Sequence, residues 1–147
     1  MNESASYPAI EDLIPHGLPI QALEEMIEWE PGRAVCRLKV RPHSPFVRGG
    51  KVPSAVCLEY MAQGAAACLG YSAHREGGRV RVGMIVGVRK MELTQSHVAV
   101  GEELRITAQR VHGMEDVSTF RGETSVGSKI VATAHITLVH PQKPPKE

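Results

Sequence analysis

The chain has 147 residues, a formal net charge of +1 and three cysteines. That length suits one domain with a substantial core, and the near-neutral charge gives no footing to nucleic acid or an anionic membrane as the main partner. Cys36, Cys57 and Cys68 are an odd number without metal-ligand spacing, each inside an apolar pattern, and therefore read as reduced, buried fillers.

Met1–Pro8 carries Asn, Glu and Ser where a signal peptide needs an apolar run, and no segment has the apolar length of a membrane span. A cytoplasmic protein is expected, organised as one domain over 1–147 with its core at about 10–139 and flexible ends at 1–9 and 141–147. A short helical turn at Glu11–Ile14 is ended by Pro15. Ile20–Glu30 is mostly extended, although Ala22–Met26 also fits a helix, and Glu30-Pro31-Gly32-Arg33 signals a turn. Ala34–Val40 then alternates, with Ala34, Cys36, Leu38 and Val40 on one face and Arg37 and Lys39 on the other, so Ile20–Val40 reads as a hairpin.

Arg41–Lys51 is a loop rich in Pro, Gly and charge that feeds the central element, Lys51–Gly70. This stretch is apolar nearly all round, with Pro53 suited to the first helical position and Gly70 to the stop, and such a helix is buried. Its strongly polar interior residues, Glu59 and Gln63, stand four apart on one face. Arg79–Leu93 is a long extended run in which Gly83 and Gly87 mark bends. Leu104–Val111, Val117–Val126 and Ile130–Val139 follow as a meander, the last with Ile130, Ala132, Ala134, Ile136 and Leu138 on one face. Two strands, one buried helix and four strands make an α+β domain. Its sheet must curl around the helix, and a second copy would cover the helix's far side.

A carboxylate inside an apolar helix is costly, so Glu59 is the leading functional candidate, with Gln63 placed to hydrogen-bond it. His43 stands in the loop before the helix and His16 precedes Gly17. His74, His97, His112, His135 and His140 read as solvated, and no His pair has the spacing or neighbouring carboxylate of a metal site. Arg79, Arg81, Arg89 and Lys90 fall in a stretch without an acid. No Gly-x-Ser-x-Gly, dinucleotide or P-loop pattern occurs, and no cofactor is implied.

Leu13-Ile-Pro-His-Gly-Leu-Pro19, Trp29-Glu-Pro-Gly32, Pro45-Phe46, Pro53 with Leu58-Glu-Tyr-Met-Ala-Gln63, and Val88-Arg-Lys90 with Val100-Gly-Glu-Glu-Leu104 appear in an order that resembles the β-hydroxyacyl-(acyl carrier protein) dehydratases. The chain is most similar to their divergent branch associated with aryl-polyene biosynthesis. The resemblance implies a hotdog fold, a curled antiparallel sheet around one long helix, assembled as a homodimer with acyl tunnels between subunits. It implies that Glu59 is the carboxylate that helps the 3-hydroxyl leave, working with a histidine base from the other subunit. Backbone N–H groups near Ser54, Ala55 and Val56 would polarise the thioester carbonyl. Gln63 would sit beside the substrate, and Arg48, Lys51, Arg79, Arg81, Arg89 and Lys90 would form a basic rim for acidic acyl carrier protein.

One departure stands out. Where the family's loop carries Gly-His-Phe-Pro-Gly, this chain has Val47-Arg-Gly-Gly-Lys-Val52. The base is then His43 or His16. Two other readings follow from the same residues: an auxiliary hotdog subunit that binds acyl carrier protein or a partner dehydratase, and an acyl-thioester hydrolase in which Glu59 activates water.

Overall fold

The computed structural model describes residues 7–15, 20–78, 83–114 and 116–140. After a 3-10 turn at Ile10–Asp12, the strands β1 (Glu25–Glu30) and β2 (Arg33–Lys39) form the expected hairpin. Then come β3 (Lys51–Pro53), a 3-10 turn at Ser54–Val56, the helix α1 (Cys57–Arg75) and β4 (Met84–Leu93). The chain closes with β5 (His97–Ala99), β6 (Glu103–Gly113), β7 (Val117–Val126) and β8 (Lys129–Val139). Six strands make one antiparallel sheet in the order β1-β2-β6-β7-β8-β4, while β3 and β5 pair separately. Among the described residues no helix is long and apolar enough to cross a membrane.

The alternation read from Ala34 to Val40 is the core face of β2: Ala34, Cys36, Leu38 and Val40 are all buried. They meet Met61, Ala65 and Cys68 of α1, together with Leu104, Ile106, Ala108, Phe120, Ala134 and Ile136 from the neighbouring strands. Gly122 on β7 lets helix and sheet close up, since a Cβ there would lie 2.8 Å from the Met61 Cβ. All three cysteines are free and buried, as expected of fillers.

Two boundaries of the central helix differ from the sequence reading. Pro53 ends β3 and precedes the 3-10 turn, with φ −56° and ψ 136°, so the α-helix starts only at Cys57. Gly70 does not end the helix, which runs on to Arg75. Gly70 is needed for a close approach: a Cβ at that position would fall 1.8 Å from the Leu13 carbonyl oxygen. Ile130 also departs from its expected face and is 42% exposed, because the β7–β8 ladder shifts register between Thr124 and Ser125.

The helix packs against β2, β6 and β7 most extensively and touches β8 less. It leaves the space beneath β4 unfilled. Ile85 and Val88 face Leu138 and Ile136 across the ladder but remain 41% and 37% exposed. That open space, bounded by α1 on one side and β4 and β8 on the other, is where the candidate site lies.

Candidate active site

Strand β3 delivers the chain to the helix start, where the Ser54 N–H donates to the Ser96 carbonyl at 2.8 Å. That bond commits one of the three backbone donors expected to face a thioester. Ser54 itself is buried, Ala55 exposed and Val56 half-buried. Glu59 follows in the first turn of α1. One turn further, Gln63 Nε2 donates to Glu59 Oε2 at 2.9 Å, so the spacing of four read from the sequence is a hydrogen bond in the fold.

Glu59 opens onto a groove of about 730 Å³ lined by Ala62 and Ala66 of α1, Ile85 of β4, and Leu138 and His140 at the end of β8. Small side chains on α1 keep the groove open. Glu59 lies at the helix N-terminus and Ala73 at its far end, and the helical rise makes the groove about 20 Å long.

His140 is a correction to the sequence reading, which put it in solvent. It is 5% exposed, its backbone N–H donates to the Asp116 carbonyl at 2.8 Å, and its Nε2 lies 2.8 Å from Ser118 Oγ. The signal was the period of two: Ala134, Ile136 and Leu138 point inward, and His140 continues that face past the last strand residue. Ser118, on the neighbouring strand opposite Leu138, supplies the polar partner a buried imidazole needs.

His43 is exposed and does not line the groove of Glu59. It borders a second cavity of about 500 Å³, shared with Ile20, Leu23, Phe46 and Tyr60. His16, Arg79 and Arg81 lie outside the described residues, as do 1–6 and 141–147. Arg48 folds back on its own loop, donating to the Pro45 and Val47 carbonyls at 3.0 and 2.8 Å, and bridges to Lys51. Gly49 and Gly50, both at positive φ, make this turn and bring no side chain toward the groove.

Arg89 and Lys90 are exposed on β4. Lys90 takes φ 53° at a bulge between Arg89 and Glu92, which lets Met91 take the inward place and leaves Lys90 in solvent.

The nearby thiols offer no nucleophile. Burial pushes the Cys57 thiol up to about 11 and those of Cys36 and Cys68 to about 12. Burial likewise raises the Tyr60 phenol to about 12. Among the described residues no group of three or more His, Cys, Asp or Glu is placed to hold a metal ion.

Comparison with known proteins places this architecture. The 3-hydroxyacyl-[acyl-carrier-protein] dehydratase FabZ of Ruminiclostridium cellulolyticum is 27% identical over 133 residues, covering 86% of this chain and 91% of the relative. FabZ of Desulforamulus reducens is 27% identical over 142 residues, covering 92% and 96%. Among solved structures, the dehydratase heterocomplex ApeI:P from Xenorhabdus doucetiae superposes with a TM-score of 0.89 at 24% identity, covering 94% of both chains. It shares the hotdog fold. Residues 8–147 match the family model described as ApeP-like, ApeP dehydratase. The chain belongs to the ApeP-like dehydratase family.

Proposed function

We propose that this protein dehydrates 3-hydroxyacyl thioesters carried on acyl carrier protein, working within a hotdog dimer. The observation that carries the reading is the Glu59 carboxyl, held by Gln63 on a long groove lined by small and aliphatic side chains of α1, β4 and β8 together with the polar Ser72, Glu76, Arg110 and His140. The groove suits an acyl chain, and Glu59 suits the reacting end. In the reaction a base takes the C2 proton, the C2–C3 double bond forms, and the C3–O bond breaks as Glu59, in its protonated carboxyl form, gives its proton to the departing hydroxyl and is left as the carboxylate. The products are an enoyl thioester and water.

Within one chain His43 and Glu59 border different cavities, so a His43 base would have to come from a second subunit. The exposed β4 edge beside the groove supports such an assembly, with a second copy as the simplest partner. Of the helix-start donors, the Ala55 and Val56 N–H groups are the candidates for the thioester oxygen, because Ser54 N–H is already committed. Arg48, Lys51, Arg89 and Lys90 are exposed cations for an acidic carrier and its phosphate.

The decisive experiment gives purified protein 3-hydroxyacyl and enoyl carrier-protein substrates and follows their interconversion. Turnover that falls at least about 100-fold in Glu59→Gln is expected, the range seen for losing a positioned acid. Turnover that ignores Glu59, or none at all, defeats the reading.

A second reading has its own support. The tight turn at Arg48–Lys51, closed on its own backbone where the family carries a histidine, suits an auxiliary subunit whose partner brings the base. Activity that emerges only when a second hotdog chain with an intact histidine loop is added would select it.

A further inference from the structure

We propose that the second cavity, between the segment before β1 and the chain leaving β2, is a small-molecule site for a compact apolar acid. Tyr60 Oη would meet a neutral polar atom at the acid's inner end, and Lys39 its carboxylate at the rim. The site is separate from the groove of Glu59 and stands whether or not the chain dehydrates a thioester.

The cavity holds about 500 Å³, within the size of small-molecule pockets. Leu23, Leu38 and Val40, all buried, line it together with the more exposed Ile20 and Phe46. The fold fixes these walls. Ala22 and Leu23 N–H groups donate to Gln63 Oε1 at 2.9 and 3.4 Å, and the Val40 N–H donates to the Glu102 carbonyl at 2.9 Å.

Tyr60 is what points to a ligand. It is 1% exposed, and its hydroxyl has no hydrogen-bond partner among the described residues. Ser54 Oγ and Thr124 Oγ1 are side-chain oxygens sealed away without a partner, and Tyr60 Oη is not sealed with them. Tyr60 borders the second cavity, so its hydroxyl opens there. Burial pushes the phenol up to about 12, which leaves it a hydrogen to give. A buried phenol is ordinarily paired, so an acceptor inside the cavity is favoured.

The rim sets the charge. Lys39, Arg41 and His43 border the cavity with one acid, Glu24. Glu24 is occupied: Arg41 donates to both its oxygens at 2.8 and 3.1 Å, and Arg37 adds a bond at 3.1 Å. Glu103, opposite Lys39 on the β2–β6 ladder, pairs with Arg37 at 3.7 Å. Lys39 is exposed and has no ion pair among the described residues, which leaves its charge for an anion at the opening. A carboxylate sunk beside Tyr60 would lack a counter-charge, so the acid end belongs at the rim and the neutral atom inside.

The probes are hexanoate and 6-hydroxyhexanoate, titrated into the full-length protein and followed through its methyl resonances. Those of Leu23, Leu38 and Val40 should shift with both acids, while Ile85 and Leu138 in the groove stay in place. The hydroxy acid should bind about 3- to 10-fold tighter, the span of one hydrogen bond, and that preference should vanish in Tyr60→Phe. Lys39→Gln should weaken both acids about 2- to 5-fold, a difference that added salt erases.

Shifts confined to Ile85 and Leu138, a hydroxyl preference that survives Tyr60→Phe, or unchanged affinity in Lys39→Gln overturn the proposal. So do methyls that ignore both acids, which leave the phenol to water, and methyls that move only on dilution, which give the cavity to a second copy. Should Tyr60→Phe fail to fold, the wild-type protein decides: equal affinity for the two acids defeats the role of Tyr60.

Discussion

The two edges of the sheet are built on opposite rules. At β1 the sequence Glu-Met-Ile-Glu-Trp-Glu puts carboxylates on the rim, and they are tied to β2 and β6: Glu28 pairs with Arg33 and Arg105 at 3.0 Å each, and Glu25 pairs with Arg37. Such charge discourages another strand from adding on. At β4 the rim is Met84, Ile85, Val86 and Val88, with exposures from 37% to 62%. An apolar edge beside an unfilled groove supports β4 as the side a second copy covers in the proposed dimer, whereas the charged β1 edge disfavours further pairing.

The largest effect should come from charging the two edges in turn. Ile27 on β1 and Val88 on β4 are each 37% exposed, so exposure alone predicts equal consequences. If the proposed dimer forms through β4, Val88→Asp is expected to dissociate it in sedimentation experiments, since an unpaired charge buried in each copy costs about 3–5 kcal/mol. Ile27→Asp should stay within about 0.5 kcal/mol of wild type in stability and leave the assembly intact. A Val88→Asp protein that sediments as wild type removes β4 as the interface.

A smaller effect separates folding from assembly. Gly70→Ala forces a methyl onto the Leu13 carbonyl oxygen, which must move, and overpacking of this kind costs about 1–3 kcal/mol. The melting temperature should drop while the sedimentation of the folded protein is unchanged. If the assembly is lost as well, the N-terminal turn belongs to the interface and the contrast between the two edges is incomplete.

What the sequence disclosed follows the same physical divide. Ala34, Cys36 and Leu38 announced β2 because one face is buried and the other wet, and the Glu59–Gln63 bond was readable because helical spacing fixes it. β5 left no trace, since His97-Val98-Ala99 becomes a strand only through its pairing with Lys51–Pro53. The docking of Ala22 and Leu23 on Gln63 was equally silent: those bonds join positions 41 and 40 residues apart, and backbone bound to a side chain has no period. Gly70 misled because a glycine required by a close approach looks the same in sequence as one required by a helix end.

The smallest effect, and the one that sharpens the contrast most, is acid. Burial pushes the Glu24 carboxyl up, but the hydrogen bonds and charge of Arg41 outweigh it and hold the group below its ordinary value. The Arg33 hydrogen bond holds Glu28 low in the same way. A carboxyl lowered in the folded state adds stability above its unfolded pKa of about 4.3, and that contribution is lost as pH falls through the folded value. These groups are partly exposed, so each pair is worth below about 1 kcal/mol. Urea unfolding followed from pH 6 to pH 3 should therefore weaken gently, and less so in the Glu24→Gln, Glu28→Gln double variant. Met84–Val88 carries no titratable side chain and the one acid of β4, Glu92, lies beyond the bulge, so a proposed dimer held through Met84–Val88 should show no matching inflection over that range. Dissociation that follows the same limb, and disappears in the double variant, would mean that the charged edge and not the apolar one holds the subunits together.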